Sequence, residues 1–269
     1  MSFQSGYISI LGLPNSGKST LMNQLLSQNL SIVSAKPQTT RNRILGIRSD
    51  KNFQMLFLDT PGWYQGRLKL DGFYRSEVLS AVGDADVALF LVDGKNPRLK
   101  QNQSFFKEIL RHSSVPVLIL ISKIDLLKQS ALIPLLSSMP ETFDGAAAYV
   151  PVSAKAGTNL ETLETCILEI LPEGPQFFPE EQITDRSKPF LLAEFLREAY
   201  FEHLNEEIPF GIATVVEEYA EGERSIQAKI CVYVERRSQK QILLGAEGDL
   251  IHTVKAKTCM RGRRFFEKK

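Results

Sequence analysis

The chain has 269 residues, 43% hydrophobic and 23% charged, with a net charge of +1. That length can bury two cores, and the near-neutral balance confines any nucleic-acid contact to a local patch rather than a global field. Cys166, Cys231 and Cys259 show no paired spacing, which argues against a disulfide framework or a zinc site and for a reducing cytoplasm. The first residues, MSFQSGYISI, lack the basic-then-apolar pattern of a secretory signal. No apolar run approaches the roughly 20 residues that span a bilayer.

Short apolar runs alternate with amphipathic stretches from the start. Tyr7–Leu13, Phe53–Leu58, Val87–Val92, Val115–Ile121 and Ala148–Val152 read as strands buried on both faces. Lys18–Gln28, Leu70–Val82, Leu99–Arg111, Ser130–Ser137 and Asn159–Ile170 read as the intervening helices. Alternation of this kind predicts βαβ units in a doubly wound, mostly parallel sheet with helices on both faces. Arg43–Arg48 is expected to pair antiparallel with Phe53–Leu58 through the turn at 49–52, making six strands in all. After Leu171 the stretch PEGPQFFPEEQITDRSKP carries four prolines and reads as an extended linker. The pattern then becomes α+β. A helix over Phe190–Leu204 precedes strands Gly211–Glu218 and Ser225–Val234, a short helix Gln239–Leu243, and a basic terminal helix. The expected boundaries are 1–171, a linker at 172–188, and 189–269.

Four strings carry chemistry. GLPNSGKST, residues 12–20, follows the first strand and opens the first helix. Gly12 and Gly17 let the backbone wrap a phosphate, and Pro14, Asn15, Ser16 and Thr20 complete the loop. Lys18 reaches the β- and γ-phosphates, and Ser19 is placed to hold Mg2+. The second string is Asp59-Thr60-Pro61-Gly62 at another strand end. There Asp59 serves the metal and the Gly62 N–H the γ-phosphate. Between them, PQTTR offers Thr40, with Thr39 as the fallback, as a metal and γ-phosphate ligand held only while the triphosphate is present. The third string, Ser122-Lys123-Ile124-Asp125, offers a carboxylate that accepts from both guanine N1–H and the exocyclic amine, which adenine cannot supply. The Lys123 stem would cover the base. The fourth, Ser153-Ala154-Lys155, presents a backbone N–H to guanine O6. Together they point to GTP and GDP as ligands and to a GTP hydrolase using Lys18, Thr40 and Gly62 on the reacting phosphate. A P-loop ATPase or small-molecule kinase would lack the logic of Asp125. An RNA scaffold that holds GTP with little turnover is the other competing reading.

In GLPNSGKST, KPQTTRNRILGI, FLDTPG, PVSAKAGTNL, LPEGPQFFPEEQITDR, AEFLREAYFEHLNEEIPF and VYVERRSQKQ the chain resembles the TrmE-Era-EngA-like family of translation-factor-like GTPases. The match is to its KH-domain-containing, ribosome-assembly members, over nearly the whole length. The resemblance implies a Ras-like P-loop GTPase domain followed by an α+β, type II KH-like domain. It implies a monomer that binds the 3′ end of small-subunit ribosomal RNA and the 30S subunit in the GTP state, and peripheral contact with the inner membrane. It also implies a K+ ion bound near Asn15, and a hydrophobic residue, here Trp63, where many GTPases place a catalytic glutamine. Gly245 and Gly248 match the KH clamp, with Lys255, Lys257, Arg261, Arg263 and Arg264 as the basic RNA patch. From Asp249 onward seven Lys/Arg face two acids.

There are three departures. Ser122 replaces the family's asparagine, which ties the base loop to the phosphate loop and contacts the purine. The expectation is guanine binding weaker by about 1–2 kcal/mol for one lost buried hydrogen bond. The clamp holds Ala246 and Glu247 where the family carries basic residues. The apolar strand that ends the KH sheet has no counterpart, so the sheet either lacks that strand or draws a stub from Arg264–Phe266.

Overall fold

The computed structural model describes residues 2–33, 43–63, 69–204 and 208–267. The chain forms two compact units, Met1–Ser31 with Thr40–Asp185, and Ile32–Thr39 with Arg186–Lys269.

The first unit is a six-stranded sheet in the order β2-β3-β1-β4-β5-β6. Its strands are β1 (Gln4–Gly12), β2 (Ile44–Ser49), β3 (Phe53–Asp59), β4 (Val87–Asp93), β5 (Val117–Ser122) and β6 (Ala148–Pro151). Among the described residues of this sheet only β2 runs antiparallel, paired with β3. The helices are α1 (Lys18–Leu25), α2 (Lys69–Gly83), α3 (Leu99–His112), α4 (Gln129–Thr142) and α5 (Leu160–Leu168). Every residue of β3 and β5 is buried, as parallel strands covered on both faces require. On one face Phe90, Phe105, Phe106 and Phe143 join Val82, Ile119 and Met139 in a single core. Each such side chain contributes about 1.5–3 kcal/mol on burial. The opposite face is closed by Leu21, Met22 and Leu25 of α1 and by Leu163 and Ile167 of α5.

β1, β3, β4, β5 and β6 run parallel, so their C-terminal ends share one edge of the sheet, where the chain reverses its stepping at β1. Open α/β sheets bind ligands at such an edge. All four chemistry-bearing strings leave strands there.

The proline-rich stretch, read as an extended linker, packs along β2 and β3. Ile47 N–H donates to Ile183 O at 2.9 Å. The wholly buried Gln54 accepts from the Phe177 and Phe178 N–H groups at 2.8 and 2.9 Å and donates back to Phe178 O at 2.8 Å. A glutamine amide supplies both donor and acceptor, so one polar residue in an apolar strand satisfies three backbone groups of the passing segment.

In the second unit, α6 (Lys188–His203) packs against β7 (Ile212–Glu221) and β8 (Ile226–Val234), followed by α7 (Arg237–Leu244) and α8 (Asp249–Phe266). Its core is Ala199, Tyr200, Leu204, Ile212, Leu243 and Val254. Ser187 caps α6, its hydroxyl accepting from Phe190 N–H, with Pro189 in the first turn. Among the described residues the sheet has two strands. Arg264–Phe266 forms no strand stub. It is the last turn of α8, where Phe265 and Phe266 pack on Phe195 at ring-centroid distances of 5.4 and 6.1 Å. That aromatic cluster fixes the segment as helix. The apolar face of β8 lines an open groove of about 400 Å³ with Leu192 and Leu196 of α6 and with Ile251 and Phe266 of α8.

Candidate functional site: a phosphate loop tied to a base loop

β1 ends at Gly12, whose φ is 151°. A Cβ there would lie 2.6 Å from Ser16 Oγ and 2.7 Å from Leu91 O, so only glycine lets the chain leave the strand in this direction. The loop then turns through Asn15 (φ 64°) and Gly17 (φ 99°) into α1. The start of α1 has no side-chain cap, which leaves its first N–H groups and positive dipole end to an anion. Lys18 lies beneath the loop, 7% exposed, with Nζ donating to Gly12 O and Leu13 O at 3.2 Å each. Burial pushes its ammonium down to about 8, against the pull of the Asp59 carboxylate. A polyphosphate in the loop would supply a countercharge that favours the ammonium form.

Register brings the second string alongside, because Asp59 pairs with Ile10 across β3 and β1. Ser19 Oγ donates to Asp59 Oδ2 at 2.8 Å. A hydroxyl and a carboxylate side by side are hard oxygen donors suited to Mg2+, which keeps most of its shell for water and phosphate. Thr60 Oγ1 donates to Ile10 O at 2.8 Å and so braces the turn. Gly62 passes so close that a Cβ would sit 3.0 Å from the Pro14 backbone, and Trp63 N–H donates to Gly12 O at 3.2 Å. The Trp63 side chain points into the core, 4% exposed and stacked on Phe105 at 4.2 Å. It neither orients a water nor accepts a proton. Thr40 and Thr39 lie outside the described residues.

The base strings meet the phosphate loop directly. Ser122 Oγ donates to Ser16 O at 2.7 Å, with Val92 O 3.2 Å away. The shorter serine thus keeps the tie to the phosphate loop whose loss entered the expected weakening. Lys123, in the left-handed region (φ 59°), places Nζ 2.5 Å from Asn15 O and 2.6 Å from Asp93 Oδ2. The exposed Asp125 is oriented by Ser153, whose Oγ donates to its Oδ1 at 2.6 Å. Ser153 and Thr158 exchange backbone hydrogen bonds at 3.2 and 3.0 Å. They close a tight loop with Ala154 and Lys155 toward its outside. Sequence reasoning missed Asp93 as the partner of Lys123 and missed the hydroxyl of Ser153 as the brace of Asp125. Only the register of β4 with β5, which sets Asp93 beside Ser122, reveals the first.

In the second unit, Gly245 (φ 78°) and Gly248 (φ 88°) bracket a turn between α7 and α8. A Cβ on Gly245 would lie 2.7 Å from Leu250 N. Ala246 and Glu247 are exposed. The basic residues divide into two groups. Lys255, Arg263 and Arg264 are exposed. Lys257 pairs with Glu202 at 2.6 Å. Arg261 turns inward, paired with Glu198 and lying 4.4 Å over the Phe195 ring, and burial lowers its guanidinium to about 10.

A phosphate-binding helix start joined by hydrogen bonds to a carboxylate-bearing base loop, on a doubly wound sheet, makes the first unit a P-loop GTPase domain. A family model described as 50S ribosome-binding GTPase matches residues 7–123. The chain is 37% identical over 257 residues to GTPase Era of Halothermothrix orenii, covering 94% of this chain and 86% of that one. It is 40% identical over 253 residues to GTPase Era of Geobacter sp. strain M21, covering 94% and 84%. A crystal structure of Era with MgGDPNP and nucleotides 1506–1542 of 16S ribosomal RNA superimposes with a TM-score of 0.92 at 32% identity, over 99% of this chain and 90% of that one. The chain belongs to the Era family of GTPases, and its second unit is the KH-like domain of that fold. No described helix is long and apolar enough to cross a membrane.

Proposed function

We propose that this chain binds GTP, hydrolyses it to GDP and phosphate, and uses the nucleotide state to control how its second unit holds the 3′ end of small-subunit ribosomal RNA during 30S assembly. The observation that carries the reading is the Ser122–Ser16 hydrogen bond. It joins the phosphate grip to the base-reading loop in a chain that also bears a glycine clamp. The relative solved with MgGDPNP and a 16S fragment supports the pairing of those ligands.

Phosphoryl transfer needs positioning and neutralisation of charge. Loop N–H groups between Gly12 and Ser19 cradle the phosphates, and the Lys18 ammonium neutralises the β- and γ-oxygens. Ser19 and Thr40, with Asp59 through water, would hold magnesium, which would supply positive charge at the transferring phosphoryl group. The Gly62 N–H contacts the γ-phosphate, and Asp125, braced by Ser153, selects guanine. With Trp63 in the core no side chain at that position activates water, so intrinsic turnover is slow. A potassium ion at Asn15, which is exposed at the loop tip, would raise it. Equal rates in potassium and sodium salts would remove that element.

The KH-like unit binds RNA through N–H groups of the Gly245–Gly248 turn and the exposed Lys255, Arg263 and Arg264. The protein acts as a monomer on the 30S subunit in the cytoplasm, with peripheral contact at the inner membrane. Burial of Trp63 also favours a second reading, a GTP-binding RNA scaffold with little turnover of its own.

The test is titration with fluorescent GDP and GTP analogues, ATP as competitor, then addition of single-stranded RNA matching the small-subunit 3′ end. Guanine selectivity with RNA affinity higher in the GTP form is the expected result. Free competition by ATP would overturn the base site. Single-turnover hydrolysis separates the switch from the scaffold.

A further inference from the structure

We infer that this protein reads guanine without a side-chain hydrogen bond to the purine N7, because the one proton of Ser122 is committed to the phosphate loop. The inference rests on the reading that a guanine nucleotide fills this site. Ser122 is 5% exposed at the end of β5. Both of its hydrogen-bonding neighbours are carbonyl acceptors, Ser16 O at 2.7 Å and Val92 O at 3.2 Å. A hydroxyl carries a single proton, whereas a carboxamide carries two on one nitrogen. An asparagine at 122 can therefore serve the Ser16 carbonyl and a second acceptor at once, and serine serves only the first.

The position of residue 122 determines which acceptor goes unserved. With the phosphates in the Gly12–Ser19 loop and the guanine N1 edge on Asp125, the five-membered ring of the purine lies on the phosphate-loop side. Ser122 is the residue hydrogen-bonded to that loop, three before Asp125. The acceptor on that ring is N7. Lys123 brings no obvious replacement, since its ammonium is held between Asn15 O and Asp93 Oδ2 at 2.5 and 2.6 Å. Selectivity then rests on the pyrimidine edge, through Asp125 as fixed by Ser153 at 2.6 Å. Ser122 thus withholds a contact to an atom that both purines carry, and the choice of guanine is left to Asp125.

The analogue 7-deaza-GDP replaces N7 with C–H and leaves the edge facing Asp125 intact. The experiment measures dissociation constants of GDP, 7-deaza-GDP, IDP and ADP on the full chain with magnesium, by competition against a fluorescent GDP. Wild type, Ser122→Asn and Ser122→Ala are compared. Wild type is expected to bind GDP and 7-deaza-GDP within about twofold. It should bind IDP, which lacks the 2-amino group, about tenfold more weakly, as one missing hydrogen bond to a charged acceptor predicts. Ser122→Asn should favour GDP over 7-deaza-GDP by about tenfold. Ser122→Ala, which strands the Ser16 carbonyl, should weaken both alike. A tenfold preference of wild type for GDP over 7-deaza-GDP overturns the inference, and so does a Ser122→Asn protein that binds both equally. ADP and IDP competing as well as GDP would instead break the guanine reading itself.

Discussion

The molecule contains two glycine loops of similar backbone design in opposite surroundings. Gly12–Gly17 and Gly245–Gly248 each lead into a helix whose preceding glycine is left-handed, at φ 99° and 88°, with no side-chain cap. Both therefore turn helix-start N–H groups toward whatever lies beyond the helix start. The first loop is enclosed. Ser16 and Lys18 are buried, and Ser122 and Lys123 hold the loop carbonyls from the base side. The second is open, with Glu247 exposed at its tip and Lys255 the first exposed cation along α8. Enclosure lowers the local dielectric and magnifies each charge, so the first loop suits a compact polyphosphate held in one pose. The second suits a chain of singly charged phosphates held loosely and with salt dependence.

If enclosure is what separates them, the largest effect belongs to the buried lysine. Lys18→Ala is expected to lower GTP hydrolysis by about 10²–10³-fold, measured in single turnover, and to leave RNA affinity of the nucleotide-free protein unchanged. The next effect is steric. Gly245→Ala must move Leu250 or leave the left-handed region, at a cost on the order of 1–3 kcal/mol to the second unit. Denaturant unfolding should show that loss while GDP affinity stays at the wild-type value. Loss of GDP binding would mean that the two loops are not separable.

The pH dependence should also differ. Burial lowers the Lys18 ammonium to about 8, below its ordinary 10.5. The unfolded chain therefore holds that proton more tightly, and the contribution of this residue to stability rises with pH between those values. Phosphate restores the charge, so nucleotide binding takes up a proton above about pH 8. Affinity should then fall by up to about tenfold per pH unit. Calorimetry in buffers of different ionisation enthalpy detects the uptake. No such uptake is expected for RNA at the open loop. The smallest effect is at Glu247. Glu247→Gln should tighten RNA binding several-fold at low salt, with the gain vanishing as salt screens the phosphates. A gain that persists at high salt would mean the glutamate blocks the clamp sterically.

The sequence alone determined the parts that depend on local chemistry. Strand and helix order follow from period and breaker residues, and the phosphate loop follows from a glycine-lysine spacing that few other structures need. Helix ends were less legible. Helix α4 runs to Thr142 through Pro134 and Pro140, beyond the expected end at Ser137, because packing of Met139 in the core outweighs two lost backbone donors. The tertiary structure decided what depends on side chains distant in sequence. Gln54 and the proline-rich segment meet across more than 120 residues, turning an apparent linker into a strap. Arg261 and Lys257 belong to the same basic run as Arg263, yet helix α8 turns Arg261 onto Phe195 and Glu198. Ser122, a departure from the family pattern by composition, becomes a tie by geometry, because β5 delivers its hydroxyl to a carbonyl 106 residues away. A residue type states what a group can donate or accept, and only the packed chain states which partner is within 3 Å to take it.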